Sequence, residues 1–489
     1  MRSIDLAVLV VYLLGIVVVG VWSTSSGRRR RTSDEFISAG GRLPGWAVGL
    51  SIFGTYVSSI SFLALPSKAY ATNWNAFVFT LAIPVTAWIA VKYFVPFYRS
   101  AAAVSSYEHL EHRFAPWART YAVACYLLTQ LARVGTIMYL LALALAPLTG
   151  WSIPALILVT SVVTMIYTLY GGIEAVIWTD VVQSVVFIIG AVACAAVLLF
   201  GMPEGPAQLF RVASDHDKFS LGSASLDPGQ STIWVVLVYG IFINLQNFGI
   251  DQTYVQRYQT AKSLGDAQRS VWTGALLYVP ISATFFFIGT GLFAYYSAQP
   301  TLLPSSTAER PDTVFPYFIV RQLPVGLVGL VVASIFAAAQ STISSSLNSS
   351  ATLVLCDLFE RYRRGGVEET RRLPLLRGAT LVMGAAGTAM ALAMMRIKSA
   401  LDAWWQLAGI FSGGMLGLFL LGFLSQRPRS GHAAVGVAAG VAVIVWMTFF
   451  RTPFHSNLII VIGTLTVLIV GLALARLARR EAGEASRDF

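Results

Sequence analysis

Apolar residues in this chain come in runs too long for a soluble core and too continuous for strands. Thirteen stretches come close to or exceed the about 20 mostly apolar residues that a helix needs to cross a bilayer. They are 4–22, 44–70, 75–98, 119–148, 153–170, 175–200, 232–250, 271–297, 324–351, 376–396, 402–424, 432–450 and 457–477. The connections between them are short, the longest being about 201–231, 298–323 and 352–375, and residues 478–489 read as a polar cytoplasmic tail. Segments 153–170 and 175–200 are joined only by Gly171-Gly172-Ile173-Glu174, so periodicity alone also admits twelve or fourteen crossings. The pattern predicts an all-α integral membrane protein with about 13 transmembrane helices, one transmembrane domain spanning 1–489 and no soluble domain.

Composition strengthens that picture. Of 489 residues 56% are apolar, only 12% are charged, and mean hydropathy is +0.69. A soluble domain carries about 25% charged residues. The net charge of +11 would suggest nucleic acid in a soluble chain. Here the basic residues lie between apolar segments, where they orient the chain instead. With the N-terminus outside, 23 of the 34 Lys and Arg fall on the inner side and nine on the outer. The inner set includes Arg28 to Arg31, Arg119 and Arg257; Lys92 and Arg133 lie within segments. The asymmetry predicts N-terminus out and C-terminus in, in the cell inner (plasma) membrane. Cys125, Cys194 and Cys356 have neither metal nor disulfide spacing.

Four places inside apolar segments are more polar than packing requires. Residues 51–61 read SIFGTYVSSIS, with hydroxyls around Gly54 and Pro66 following. They suit a broken helix with free carbonyls, although hydroxyls bonded back to an intact helix are an alternative. Residues 338–350 read AAQSTISSSLNSS, in which 338, 341, 342 and 345 share one helical face. A row of hydroxyls suits a hard monovalent cation such as sodium; a tight small-residue interface is the alternative. Arg133 lies midway along 119–148, where a charge costs roughly 2.5–3.5 kcal/mol on insertion scales. It should face a cavity and meet an anion, either a substrate carboxylate or a protein acid. Asp180 either caps its helix or completes an ion site. The stretch 244–251, NLQNFGID, reads equally as a kink or a site. Glu108, His109, Glu111 and His112 mimic metal spacing but read as a solvated amphipathic turn. No phosphate-cradling loop and no nucleophile–base set stand at membrane depth, so ATP-driven transport and catalysis lack support.

These strings resemble the sodium:solute symporter family, and within it the bacterial sodium–sialic acid symporters. The likeness rests on GGRLPGWAVGLSIF, SYEHLEHRF, YGGIEAVIWTDVVQS, YVQRY and AAAQSTISSSLNSS. It implies an inverted 5+5 repeat, 44–200 and 232–424, whose first helices break near Ser58 and Asn247. It implies a main sodium site of Gly54, Val57 and Ala338 carbonyls with Ser341 and Thr342 hydroxyls. A second sodium site falls on Asp180, Ser341, Ser344 and Ser345. Substrate contacts fall on Arg133, Ser58 and Ser61, with Tyr56 and Thr80 at neighbouring substrate positions. Departures from the relatives are Gly54 for alanine, Thr342 for serine, Tyr56 for threonine, Thr80 for glutamine and Ala76 for phenylalanine. The expected function is sodium-coupled import of a small carboxylate-bearing solute, foremost sialic acid, by a monomer that is not an enzyme. Another sugar acid, an amino acid such as proline, or a neutral sugar is the alternative passenger.

Overall fold

In the computed structural model, which describes all residues except 26–31, 102–103, 364–365, 397–399, 451 and 486–489, regular structure is helical. Among the described residues the one β-type pairing is an isolated bridge between Leu43 and Ala261. Arg28 to Arg31, Arg364, Lys398, Arg451 and Arg487, counted above for orientation, lie outside the described residues. The long helices are α1 (Ser3–Ser25), α2 (Gly45–Tyr56), α3 (Ser59–Ala71), α4 (Asn75–Ala101), α5 (Pro116–Thr149), α6 (Ile153–Phe200) and α7 (Ile233–Ile250). They continue as α8 (Gln252–Thr260), α9 (Leu264–Ala298), α10 (Leu327–Leu353), α11 (Glu369–Met394), α12 (Ala400–Leu424), α13 (Ser430–Phe449) and α14 (Leu458–Ala485). Among the described residues ten helices are long and apolar enough to cross a membrane, and the bent pair α2–α3 makes an eleventh.

Two interruptions shape the interior. Between α2 and α3 the chain bends by 57°. Val57 (φ −83°, ψ 121°) and Ser58 (φ −114°, ψ 169°) are extended there. The Ser58 hydroxyl restarts the helix by accepting from the Ser61 amide at 3.3 Å, an N-cap. The second interruption lies at Asp251 (φ −73°, ψ 119°), four residues beyond the Asn247 expected from sequence. Asn244 stays in the helix because its amide donates back to the Gly240 carbonyl at 2.7 Å. Asp251 is the better cap, accepting from the Thr253 amide at 2.8 Å to start α8.

α6 runs for 48 residues, about 72 Å at 1.5 Å per residue and more than twice a bilayer core. Gly172 divides it, with φ 54° and ψ −148°, at the connection expected between 153–170 and 175–200. α10 is the most deeply buried of the spans, with α1, α2, α5, α6 and α11 packed around it. One expectation needs correction. Arg257 is not a loop cation: it is fully buried on α8, which takes one charge from the inner side and leaves the asymmetry. Within the polar tail, residues 478–485 continue α14 as helix, since Ala, Arg and Glu are strong helix formers.

A β-carbon on Gly172 would lie 2.5 Å from the Phe36 carbonyl oxygen. Its backbone conformation alone would cost a side chain about 1–3 kcal/mol. Gly172→Ala is therefore expected to lower the thermal midpoint and the monodisperse yield in detergent. Gly15→Ala, where a β-carbon meets nothing within 4 Å, should leave both unchanged. Equal behaviour of the two variants in a melting assay would overturn the assignment.

Candidate functional site

A cavity of about 800 Å³ opens between the α2–α3 break, α5, α7 and the segment joining α13 to α14. Its deep end carries Tyr56, Ser58, Ser61, Gln130, Arg133, Asn247 and Asp251, and its other end reaches Phe450, Phe454 and Asn457. Ser58 and Ser61 are there because the bend exposes the first turn of α3, where side chains rather than neighbouring turns meet the free amides. Tyr56 packs on Tyr278 with ring centroids 4.5 Å apart, and its hydroxyl accepts from the Asn247 amide at 3.4 Å. Arg133 projects from mid-α5, 3.9 Å from the Asp251 carboxylate. That gap is too long for a hydrogen bond. Four of the five substrate positions expected from sequence thus line one cavity. Thr80 does not: it is buried and shares a 2.9 Å hydrogen bond with Ser282, while Phe79 takes the lining position. Consecutive residues on a helical turn point in different directions.

Behind the cavity, the α2–α3 break faces the hydroxyl row of α10. The Thr342 hydroxyl lies 3.4 Å from the Val57 carbonyl oxygen and 3.2 Å from that of Ala338. The Ser341 hydroxyl is fully buried without a hydrogen-bond partner among the described residues. A β-carbon on Gly54 would sit 3.1 Å from it. The same β-carbon would be 2.8 Å from the Ser184 hydroxyl, so glycine lets α2 approach both neighbours. All five residues of the expected main sodium site are brought to one place. An unpartnered buried hydroxyl beside carbonyls freed by a helix break is the neutral oxygen donor set that a small hard cation requires.

The four residues expected for a second sodium site also meet, with an addition that sequence reasoning missed. The Arg257 guanidinium donates to Asp180 Oδ2 at 2.9 Å and to the Ser345 hydroxyl at 2.6 Å. It also donates to the Ser51 hydroxyl at 2.8 Å and the Thr253 carbonyl at 2.6 Å. Ser51 donates to the same Asp180 oxygen at 2.5 Å. Asp180 Oδ1 remains buried and unpartnered, and the Ser344 hydroxyl donates to the Ser341 carbonyl at 3.2 Å. Asp180 therefore does not cap a helix end; it is half of a buried ion pair. Arg257 escaped notice because the hydropathy run ends at residue 250 and a charge beyond it reads as a loop. The signal available was its place in YVQRY, six residues past the second break.

Away from the cavity lining, residues Glu108–Phe114 form a short helix. Glu111 is paired with Arg119 and Arg361, both at 3.0 Å, and His109 packs against Phe97 and Phe419. Burial and the neighbouring Arg113 hold the His109 pKa below its ordinary value. No group of three or more His, Cys, Asp or Glu side chains placed to hold a metal ion occurs among the described residues.

The model of the sodium:solute symporter family matches residues 36–440. The sodium/sialic acid symporter NanT of Aliivibrio fischeri is 36% identical over 478 residues, covering 96% of this chain and 92% of that protein. The sodium/sialic acid symporter SiaT of Proteus mirabilis is also 36% identical over 478 residues, covering 97% and 95%. A substrate-bound outward-open structure of a sodium-coupled sialic acid symporter superposes with a TM-score of 0.91 at 34% identity, covering 97% of this chain and 98% of that one.

Removing one partner from a buried ion pair leaves an uncompensated charge and costs about 3–5 kcal/mol. Asp180→Asn alone should therefore melt well below wild type, and Asp180→Asn with Arg257→Gln should recover part of the loss. Thermal unfolding in detergent checks this; additive losses in the double variant would show that the two charges are not coupled.

Proposed function

The chain belongs to the sodium:solute symporter family, a multi-pass membrane protein that uses sodium, and from that premise we propose that it imports sialic acid, N-acetylneuraminate, across the plasma membrane. The observation that carries this reading is Arg133: a guanidinium with no hydrogen-bond partner among the described residues, 3.9 Å from the Asp251 carboxylate, at membrane depth, in a polar-ended cavity of about 800 Å³. A cation kept at such a cost belongs opposite an anion, and its planar fork suits a carboxylate bidentately. Ser58 and Ser61 then accept or donate to the sugar's hydroxyls, with Tyr56 as an apolar and hydroxyl-bearing wall. The chain acts as a transporter and not as an enzyme, and as a monomer.

The topology belongs to the same proposal. Splitting α6 at Gly172 and counting α12 brings the crossings to thirteen, with repeats at 44–200 and 232–424. The inner excess of Lys and Arg puts the N-terminus outside, and the cavity end at Phe450 to Asn457 then faces outside too. The described conformation is accordingly outward-open. Sodium, as co-substrate, is held by carbonyls of Gly54, Val57 and Ala338 and hydroxyls of Ser341 and Thr342. It cross-links the α2–α3 break to α10. Ser58, the next residue after Val57, is thereby fixed for the substrate. Rocking of one helix set against the other then exposes both passengers inward.

A second ion takes Asp180 Oδ1 with Ser341, Ser344 and Ser345, sharing the carboxylate with Arg257. Two sodium ions with one monoanion carry one net positive charge, each charge being worth about 2.3 kcal/mol per 100 mV. A different passenger, another sugar acid or an amino acid such as proline, is favoured by one observation: Thr80 bonds Ser282 rather than the cavity.

Uptake of radiolabelled sialic acid into proteoliposomes is expected to be accelerated by an inward sodium gradient and by a negative interior. Arg133→Ala should reduce it at least about tenfold, the scale of one charged hydrogen-bonded contact. Sodium-independent uptake would end the coupling claim. Full uptake by Arg133→Ala would end the carboxylate claim.

A further inference from the structure

Asp251 interrupts α7 and α8, and its carboxylate divides its work between two oxygens. Oδ1 accepts from the Thr253 amide at 2.8 Å and from the Tyr126 hydroxyl at 3.2 Å. Those contacts cap α8 and tie it to α5. Oδ2 faces Arg133 Nη1 across 3.9 Å without a hydrogen bond. Both side chains line the cavity and keep some exposure to it, 21% for Arg133 and 10% for Asp251. Among the described residues, neither the Arg133 guanidinium nor Asp251 Oδ2 has a hydrogen-bond partner. The deep end of the cavity therefore presents unspent donors and an unspent anionic acceptor side by side.

We propose that Asp251 is a specificity-determining residue, selecting carboxylates whose adjacent carbon carries a hydrogen-bond donor. The inference rests on the reading of Arg133 as the carboxylate site and names the class of acid that site takes. A carboxylate bound to Arg133 is brought close to Asp251 Oδ2, and two anions in contact repel. A donor on the carbon next to the carboxylate lies between them and turns that repulsion into a charge-assisted hydrogen bond. An acid lacking the donor leaves the repulsion and an unpaired acceptor in a partly desolvated site, which is how polar pockets reject analogues. In the ring form of a sialic acid the carbon bearing the carboxylate also bears the hemiketal hydroxyl, so the class includes the proposed passenger. An α-hydroxy or α-amino acid offers the same chemistry.

Asp251→Asn isolates the role from the cap. Asparagine caps helices as well as aspartate. To accept from the Thr253 amide it must turn its oxygen there, which leaves its NH2 group, a donor, facing Arg133. Binding to detergent-purified wild type and variant would be read by titration calorimetry for sialic acid and for its 2-O-methyl glycoside as the free acid. Wild type is expected to prefer the free hydroxyl about 10- to 100-fold, the worth of a hydrogen bond to a charged group. Asp251→Asn should erase most of that preference, and Asp251→Ser, which also keeps a capping oxygen, should do the same. Preference unchanged in both variants, or absent from a wild type that binds both compounds, overturns the proposal. Failure of wild type to bind either compound instead sinks the sialic-acid reading. Lactate and alanine, each compared with propionate in the same proteins, then decide the role of Asp251 by the same criterion.

Discussion

A helix that breaks inside a bilayer frees carbonyl groups that lipid cannot satisfy, and much of this architecture follows from how that debt is met. Val57 and Ser58 are extended, so the backbone oxygens around them need donors from elsewhere in the chain. Thr342 supplies one to Val57, and it stands on α10 among hydroxyls that lipid would equally exclude. Break and hydroxyl row must therefore be buried against each other. That requirement makes α10 the most deeply buried span, with α1, α2, α5, α6 and α11 packed around it. Small residues, Gly54 on one side and Ala338 on the other, let the two backbones approach closely enough.

The Asp180–Arg257 pair fixes the second break to the first. Asp180 comes from α6, Arg257 from α8, Ser51 from α2 and Ser345 from α10. α2 precedes the break at Val57, and α8 follows the break at Asp251. One buried node thus joins both half-helices to the spans that flank them. Such a pair adds little net stability, because desolvating two ions offsets their attraction. Its consequence is geometric: a charge that must keep its partner holds four helices in register. Asp180 keeps one oxygen free at that node, so the register is set by only half of the carboxylate.

Hydropathy made the spans legible because the bilayer imposes length and composition on any helix that crosses it. The hydroxyl row was legible for a similar reason: 338, 341, 342 and 345 share a face whatever the tertiary fold. The first break showed itself through clustered hydroxyls around Gly54. The second, which the resemblance put near Asn247, lies four residues on at Asp251, at the end of the 244–251 stretch, where a carboxylate caps α8. Arg257 was hidden for an energetic reason. A buried charge is tolerable only beside its partner, and the partner lies 77 residues upstream, beyond any local window. Thr80 failed differently: it adjoins Phe79, which does reach the cavity, and side-chain direction in the short irregular turns that begin α4 cannot be read from spacing.

On the proposed reading, coupling between the two passengers has a structural basis that follows from a single peptide bond. Tight binding of sodium and of substrate at separate rigid sites would let each bind without regard to the other, since equal affinity for both conformations shifts neither. Coupling requires one element whose arrangement both ligands bias. The α2–α3 break is that element: Val57 offers its carbonyl to the cation side and Ser58 its hydroxyl to the cavity side. No torsion at this junction can change without moving one group relative to the other. A cation that fixes the carbonyl thereby lowers the entropy the substrate must remove from Ser58, and a substrate that fixes Ser58 does the same for the cation. The coupling is reciprocal by linkage, and it is strongest where it spans the shortest stretch of chain.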